Sequence, residues 1–190
     1  MQYGVRTVVD LRNDDELQAG PPNRPACVTT VHVPLDDVAD TAFWTCPREN
    51  ELDGAPLYYR PFLDRKARHC AAAVTAVARA QPGGALVHCG LGRDRTGLVV
   101  MLLLALAGAG SDDIAADYEL STARLPALFA AVGIDDQTEV IRNILARKNT
   151  TARDAMISVL EDVDVEARLR AAGLGENDVA ALRDRLVQPE

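Results

Sequence analysis

Basic charge, aromatic side chains and paired cysteines are all scarce in this chain. Lys and Arg number 20 against 28 Asp and Glu, giving a formal net charge of -8 and a pI near 4.9. That balance excludes a general nucleic-acid or anionic-membrane binder, whose surface would be basic, but leaves room for one small basic site. Aromatic residues make up 4% of the 190 residues, so the core has to be aliphatic, as in compact α/β or mostly helical proteins. The four cysteines form no C-x-x-C pair and no metal-ligand spacing. They read as reduced thiols, and neither a metal nor another cofactor is expected. No charged-then-apolar leader opens the chain at M-Q-Y-G-V-R, and the longest uncharged run, residues 96–111, is short and glycine-interrupted. A cytoplasmic protein without stable membrane insertion is therefore expected, with export lacking a signal peptide still compatible.

What is present predicts one domain over residues 1–190, with strands early and helices late. Residues 7–11 (T-V-V-D-L), 28–34 (V-T-T-V-H-V-P) and 85–88 (A-L-V-H) are short β-branched or apolar runs that read as strands. Residues 12–25 are polar and end in G-P-P-N-R-P, a loop. Residues 35–56 carry Asp36, Asp37, Asp40, Trp44 and Asp53 with little periodicity, a surface segment whose Trp44 is either a lid anchor or a core plug. Helices are predicted over 61–80 and 95–106. A helical portion then fills 111–190, capped by Ser111 and broken near Pro126, Gly133, Asn149 and Gly173. The order predicts an α/β fold, a small mixed, mostly parallel sheet flanked by helices.

The chemistry concentrates in residues 85–97, A-L-V-H-C-G-L-G-R-D-R-T-G. Six residues after Cys27, Cys46 and Cys70 stand Val33, Leu52 and Ala76; only Cys89 is followed at that distance by an arginine, Arg95. A second H-C pair, His69-Cys70, lies in an alanine-rich helical stretch without glycines and reads as core packing. A free thiol with pKa near 8.5 is a poor nucleophile at neutral pH, whereas thiols beside a helix N-terminus or a cation fall to roughly 3.5–7.5. Gly90, Gly92 and Gly97 let the backbone turn and approach an anion. Leu91, Arg93 and Asp94 contribute amides to the same cradle. Arg95 offers a planar fork for two phosphate oxygens, and Thr96 can donate a hydrogen bond to the cysteine sulfur.

H-C-G-L-G-R-D-R-T-G resembles the signature loop of cysteine-dependent phosphatases, H-C-x-x-G-x-x-R-[ST]. Within that class it is most similar to the H-C-x-A-G-K-D-R-T-G form of the bacterial tyrosine-phosphatase family that also acts on phosphoinositides, itself related to atypical dual-specificity phosphatases. G-V-R-T-V-V-D-L-R-N-D-D-E (residues 4–16) resembles the family's G-I-x-x-V-x-D-L-R-S-x-x-E, and A-D-Y at 116–118 recurs at the matching place. The resemblance implies a cysteine-phosphatase fold and a phosphocysteine intermediate on Cys89. Three departures stand out: Arg93 replaces a lysine, Leu91 replaces a small residue, and the family's N-F-R-D-like N-terminal segment has no counterpart, so the start is expected to be truncated or assigned late.

Protonation of the leaving oxygen has two candidates, Asp94 inside the loop and Asp37, which matches the aspartate of the family's L-P-F-P-D, with Asp36 adjacent. Asp94 is preferred, with Asp37 assisting. Asp10 and Arg12 of D-L-R either support the loop, Arg12 as a second anion contact, or close a strand end as an ion pair. Tyr58 and Tyr59 either line the substrate pocket or pack, and His88 is expected to orient the loop. The partner is thus a phosphorylated protein, phosphotyrosine first, or a phosphoinositide, which the doubly basic R-D-R loop would also suit. A catalytically silent phosphate-binding module and a rhodanese-like sulfur transferase are the rival readings.

Overall fold

The computed structural model describes residues 4–17, 24–52 and 56–187. Most of the G-P-P-N-R-P loop therefore lies outside the described residues. Three strands form the sheet: β1 (Val5–Asp10), β2 (Thr29–His32) and β3 (Gly84–His88), in the order β2-β1-β3. Both pairings are parallel, with Asp10 opposite His32 on one side and His88 on the other. The sheet expected as mixed is thus parallel throughout among the described residues. Parallel strands bury both faces, and the run T-V-V-D of β1 is buried at every residue. The buried Thr7 hydroxyl accepts from the Gln81 backbone N–H at 3.1 Å, which satisfies the one polar side chain inside that run that lies away from the site.

Parallel strands require crossovers, and the connection from β2 to β3 supplies α1 (Thr41–Glu49) and α2 (Tyr59–Ala78). The segment read as irregular surface is therefore partly helical. Asp40 caps α1 by accepting from the Phe43 N–H at 3.1 Å. Trp44 is a core plug, packed edge-on against Phe43 and tilted against Tyr58 and Phe62. Tyr58 and Tyr59 are likewise core residues. After β3 come α3 (Asp94–Leu106), α4 (Ser111–Val132), α5 (Thr138–Arg147), α6 (Ala152–Asp162), α7 (Val165–Ala171) and α8 (Glu176–Leu186).

Two expected helix signals are displaced. Gly110 rather than Ser111 takes the cap position of α4, and Pro126 lies inside that helix instead of ending it. Pro126 and the residue four before it, Thr122, both face solvent, so the carbonyl that loses its intrahelical partner can bond water. Gly133, Asn149 and Gly173 do mark helix ends, each at positive φ. The core is mostly aliphatic apart from the aromatic cluster around Trp44, with Leu63, Leu98, Leu102, Met156 and Leu169 fully buried between α2, α3 and the C-terminal helices. No helix among the described residues is long and apolar enough to cross a membrane.

Candidate active site

Because all three strands run the same way, their carboxyl ends lie at one edge of the sheet, where α/β proteins place their ligands. The segments leaving that edge are residues 11–17 after β1, 33–40 after β2 and 89–93 between β3 and α3. The last is the candidate phosphate loop. The Leu11 N–H donates to the His88 carbonyl at 2.8 Å, tying the first segment to the third.

Cys89 is buried, and its Sγ accepts from the Gly92 N–H and the Thr96 hydroxyl, each at 3.3 Å. Gly92 has φ +73, a conformation glycine adopts without cost, and this brings its amide back toward the sulfur. Gly97 serves packing instead: a Cβ there would stand 2.6 Å from the Tyr118 ring and 2.9 Å from the Tyr59 hydroxyl. That hydroxyl donates to the Asp94 carbonyl at 2.6 Å, fixing the first turn of α3. His88 Nδ1 donates to the Cys89 carbonyl at 3.0 Å, and its Nε2 lies 3.6 Å from Asp10.

The guanidinium of Arg95 is not free. Its Nη1 and Nη2 bond the two oxygens of Glu16, the second at 2.7 Å, and Nη1 lies 3.4 Å from Asp36. Asn13 ties these carboxylates together, its backbone N–H donating to Glu16 at 2.8 Å and its side-chain amide to Asp36 at 3.0 Å. The ion pair with Arg95 holds the Glu16 carboxyl below its ordinary value. Burial pushes Asp36 the other way, above its ordinary value, against the pull of Arg95. Trp44 Nε1 donates to the Asp36 carbonyl at 3.2 Å, so the core plug also holds this segment.

Several expected site residues take other partners. Asp37, at φ +47, gives its carboxylate to the buried Lys66 at 2.7 Å, and Lys66 also meets Asp40. The aspartate that reaches Arg95 is its neighbour Asp36. Arg12 forks onto Asp10 with Nη2 at 2.6 Å and Nε at 2.9 Å, the strand-end ion pair and not an open anion contact. Burial disfavours the Asp10 carboxylate, but the Arg12 bonds prevail and lower its pKa to about 2. Arg93 is buried, bonded to Asp94 at 2.9 Å and to Gln137 at 3.3 Å, so it does not extend the loop's free positive charge. The second oxygen of Asp94 is buried with no hydrogen-bond partner among the described residues. Cys70 lies in α2, where burial pushes its thiol up to about 12, in keeping with core packing.

Sequence reasoning passed over Glu16 and Asn13 and named Asp36 only as the neighbour of Asp37. One signal was available, since N-D-D-E, directly after D-L-R, carries the i to i+3 spacing of a helix-capping pair. Beside the loop, a cavity of about 270 Å³ is lined by Leu91, Gly92, Asp117, Leu120, Ser121 and Arg124 among others. Among the described residues no cluster of three His, Cys, Asp or Glu side chains could hold a metal ion.

A cysteine ringed by donors ahead of a helix, with an arginine in that helix's first turn, is equipped to accept and stabilise a transferred phosphoryl group. Comparison with known proteins agrees. The chain is 28% identical to the triple specificity protein phosphatase PtpB of Mycobacterium tuberculosis, over 98% of this chain and 83% of the relative. A sequence model of one family matches residues 1–188, nearly end to end, and by that match the chain belongs to the tyrosine phosphatase family.

Proposed function

We propose that this phosphatase hydrolyses protein phosphotyrosine through a phosphocysteine on Cys89. The observation that carries the reading is the Cys89 sulfur, which collects the Gly92 N–H and the Thr96 hydroxyl in front of α3. Sγ attacks phosphorus in line, forming the P–S bond as the P–O bond to the leaving oxygen breaks. Arg95 and the amides of residues 90–95 hold the equatorial oxygens, where charge gathers. Asp94 supplies the proton to the leaving oxygen. One of its oxygens is held by Arg93, and the other, buried, has no hydrogen-bond partner among the described residues, so it is unspent for that role. Water then attacks the phosphocysteine with Asp94 as base, and Thr96 donates to the departing sulfur. Asp37, committed to Lys66, takes no part.

The substrate reading rests on charge. Both loop arginines carry carboxylate partners, so the site offers little unspent positive charge to a second phosphate. The adjacent cavity has Leu91 and Leu120 in its lining, which suits an aromatic leaving group. The Mycobacterium tuberculosis relative is named a triple specificity protein phosphatase, which supports a phosphorylated protein as the substrate class. The test is a panel of phosphotyrosine peptide, phosphoserine peptide and phosphoinositide, with rapid-quench mass spectrometry for a phosphorylated Cys89 peptide. Phosphotyrosine should have the highest kcat/KM, and Cys89→Ser should abolish turnover and adduct together. A Cys89→Ser protein with intact turnover refutes the mechanism; a phosphoinositide preference refutes the substrate.

A further inference from the structure

The segment that leaves β2 closes on a buried ammonium. Lys66 is 3% exposed and stands at a kink inside α2, where its backbone departs from helical geometry with φ −112 and ψ 19. Its Nζ donates to Asp37 and to Asp40, each at 2.7 Å, and lies 5.7 Å from the centre of the Phe43 ring. An ammonium taken out of water is costly unless its partners are held in place. Both partners are held: the Asp40 N–H donates to the Asp37 carbonyl at 3.0 Å, and Arg65 forks onto the Asp40 carboxylate at 2.7 and 2.8 Å. We infer that Lys66 is a positioning residue, which draws the Asp37 and Asp40 carboxylates onto one ammonium and so holds the turn of residues 36–40 closed as a wall of the phosphate site. The inference rests on the proposed phosphate site at Cys89 and Arg95.

Two observations tie the cluster to that site. Asp37 has φ +47, in the left-handed region that residues other than glycine resist. The turn therefore needs a hold from outside itself, and the bond to Lys66 supplies one. The residue before it faces the loop, with the Asp36 carboxylate 3.4 Å from Arg95 Nη1 and the Asp36 carbonyl accepting from Trp44 Nε1 at 3.2 Å. Leu35, fully buried, anchors the same segment to the sheet edge, its N–H donating to the Leu11 carbonyl at 3.3 Å. Core and sheet thus fix residues 35 and 36, while Lys66 fixes 37 and 40. A turn that closed only on binding would weaken the anion's affinity by the fraction of molecules in which it is closed beforehand.

Charge alone makes the opposite prediction: Asp37 is a negative group near an anion site, so its removal should tighten phosphate whatever replaces it. Glycine and alanine at this position separate the two ideas, because both remove the carboxylate but only glycine accepts positive φ freely. The probe is calorimetric Kd for inorganic phosphate, joined by KM and kcat on p-nitrophenyl phosphate. Positioning predicts that Asp37→Ala weakens phosphate, and does so about tenfold more than Asp37→Gly, the factor that resistance to the left-handed region supplies. Lys66→Met should also weaken phosphate by about tenfold, as loss of a charge-assisted bond does. Its KM should rise in step while kcat stays within about threefold, since nucleophile and loop are untouched. Equal Kd values in Asp37→Ala and Asp37→Gly, tighter binding in Asp37→Ala, or an unchanged Kd in a folded Lys66→Met would overturn the inference. Should Lys66→Met fail to fold, the alanine and glycine pair at the half-buried Asp37 still decides. A wild-type protein that binds no phosphate refutes the site reading and this inference with it, whereas wild-type binding without an alanine–glycine difference refutes the inference alone.

Discussion

Gly97→Ala places a methyl group where the structure has no room. The added carbon would lie 2.6 Å from Tyr118 Cε2, 2.8 Å from its Cδ2 and 2.9 Å from the Tyr59 hydroxyl oxygen. Tyr59 is fully buried and Tyr118 nearly so, so neither ring can swing into solvent. In a helix interior alanine is otherwise preferred over glycine by about 0.8–1 kcal/mol. Overpacking acts against this by about 1–3 kcal/mol. Shifting Tyr59 also strains its 2.6 Å bond to the Asp94 carbonyl, a bond of a kind that contributes about 0.5–1.5 kcal/mol. The balance is a net loss of about 1–3 kcal/mol, or roughly 3–10 °C in Tm for a chain of this size. Thermal melts followed by circular dichroism measure it, and activity should fall further than stability because the loop's own first helical turn moves. Tyr118→Leu, which opens space, should recover part of the loss in the Gly97→Ala background. A Gly97→Ala protein as stable as wild type, following helix propensity alone, would refute the packing argument.

Two other outcomes follow from the titrating groups. Asp10, with its pKa lowered to about 2 by Arg12, stabilises the fold fully above its ordinary pKa near 3.8 and loses that contribution as pH falls through about 2. Tm measured between pH 5 and pH 2 should therefore fall less steeply in Asp10→Asn than in wild type, and parallel curves would refute the assignment. At pH 8 iodoacetamide should label the exposed Cys27 and Cys46 but spare Cys70 until the protein is unfolded, because Cys70 is buried and its thiol pushed up to about 12. Peptide mass mapping with and without denaturant checks this.

The parts of the molecule legible in the sequence are those whose information is local. The phosphate loop lies within a dozen consecutive residues, and chain geometry brings Gly92, Thr96 and Cys89 together once β3 is followed by α3. The strands and most helix ends were equally local, read from β-branched runs and from glycines that reach positive φ. The partners of Arg95 were not local: Glu16 is 79 residues away, and Asp36 lies in the segment that leaves a different strand, β2. Only the parallel pairing of β1 with both neighbours sets those segments side by side, and a single sequence does not encode pairing by proximity. The same gap explains the choice of Asp37 over Asp36. Which of two adjacent aspartates faces the loop depends on Lys66, which sits at a kink in α2 and draws Asp37 to itself. Pro126 misled for a different reason, because the cost of an interior proline depends on whether the freed carbonyl meets water, and that is a property of the fold.

The convergence of three strand ends at one edge means that the anion site is also a joint. Residues 13–16, Asp36 and the loop after β3 are mutually held through charged groups that are partly shielded from water. An oxyanion seated on Arg95 would add bonds across that joint in the folded state only. Phosphate should therefore act on this protein as a fastener as well as a product: at a concentration 100 times its Kd, binding raises stability by about 2.7 kcal/mol. The edge strand β2, which brings Asp36 to the joint, would be the element most firmly secured by that occupancy.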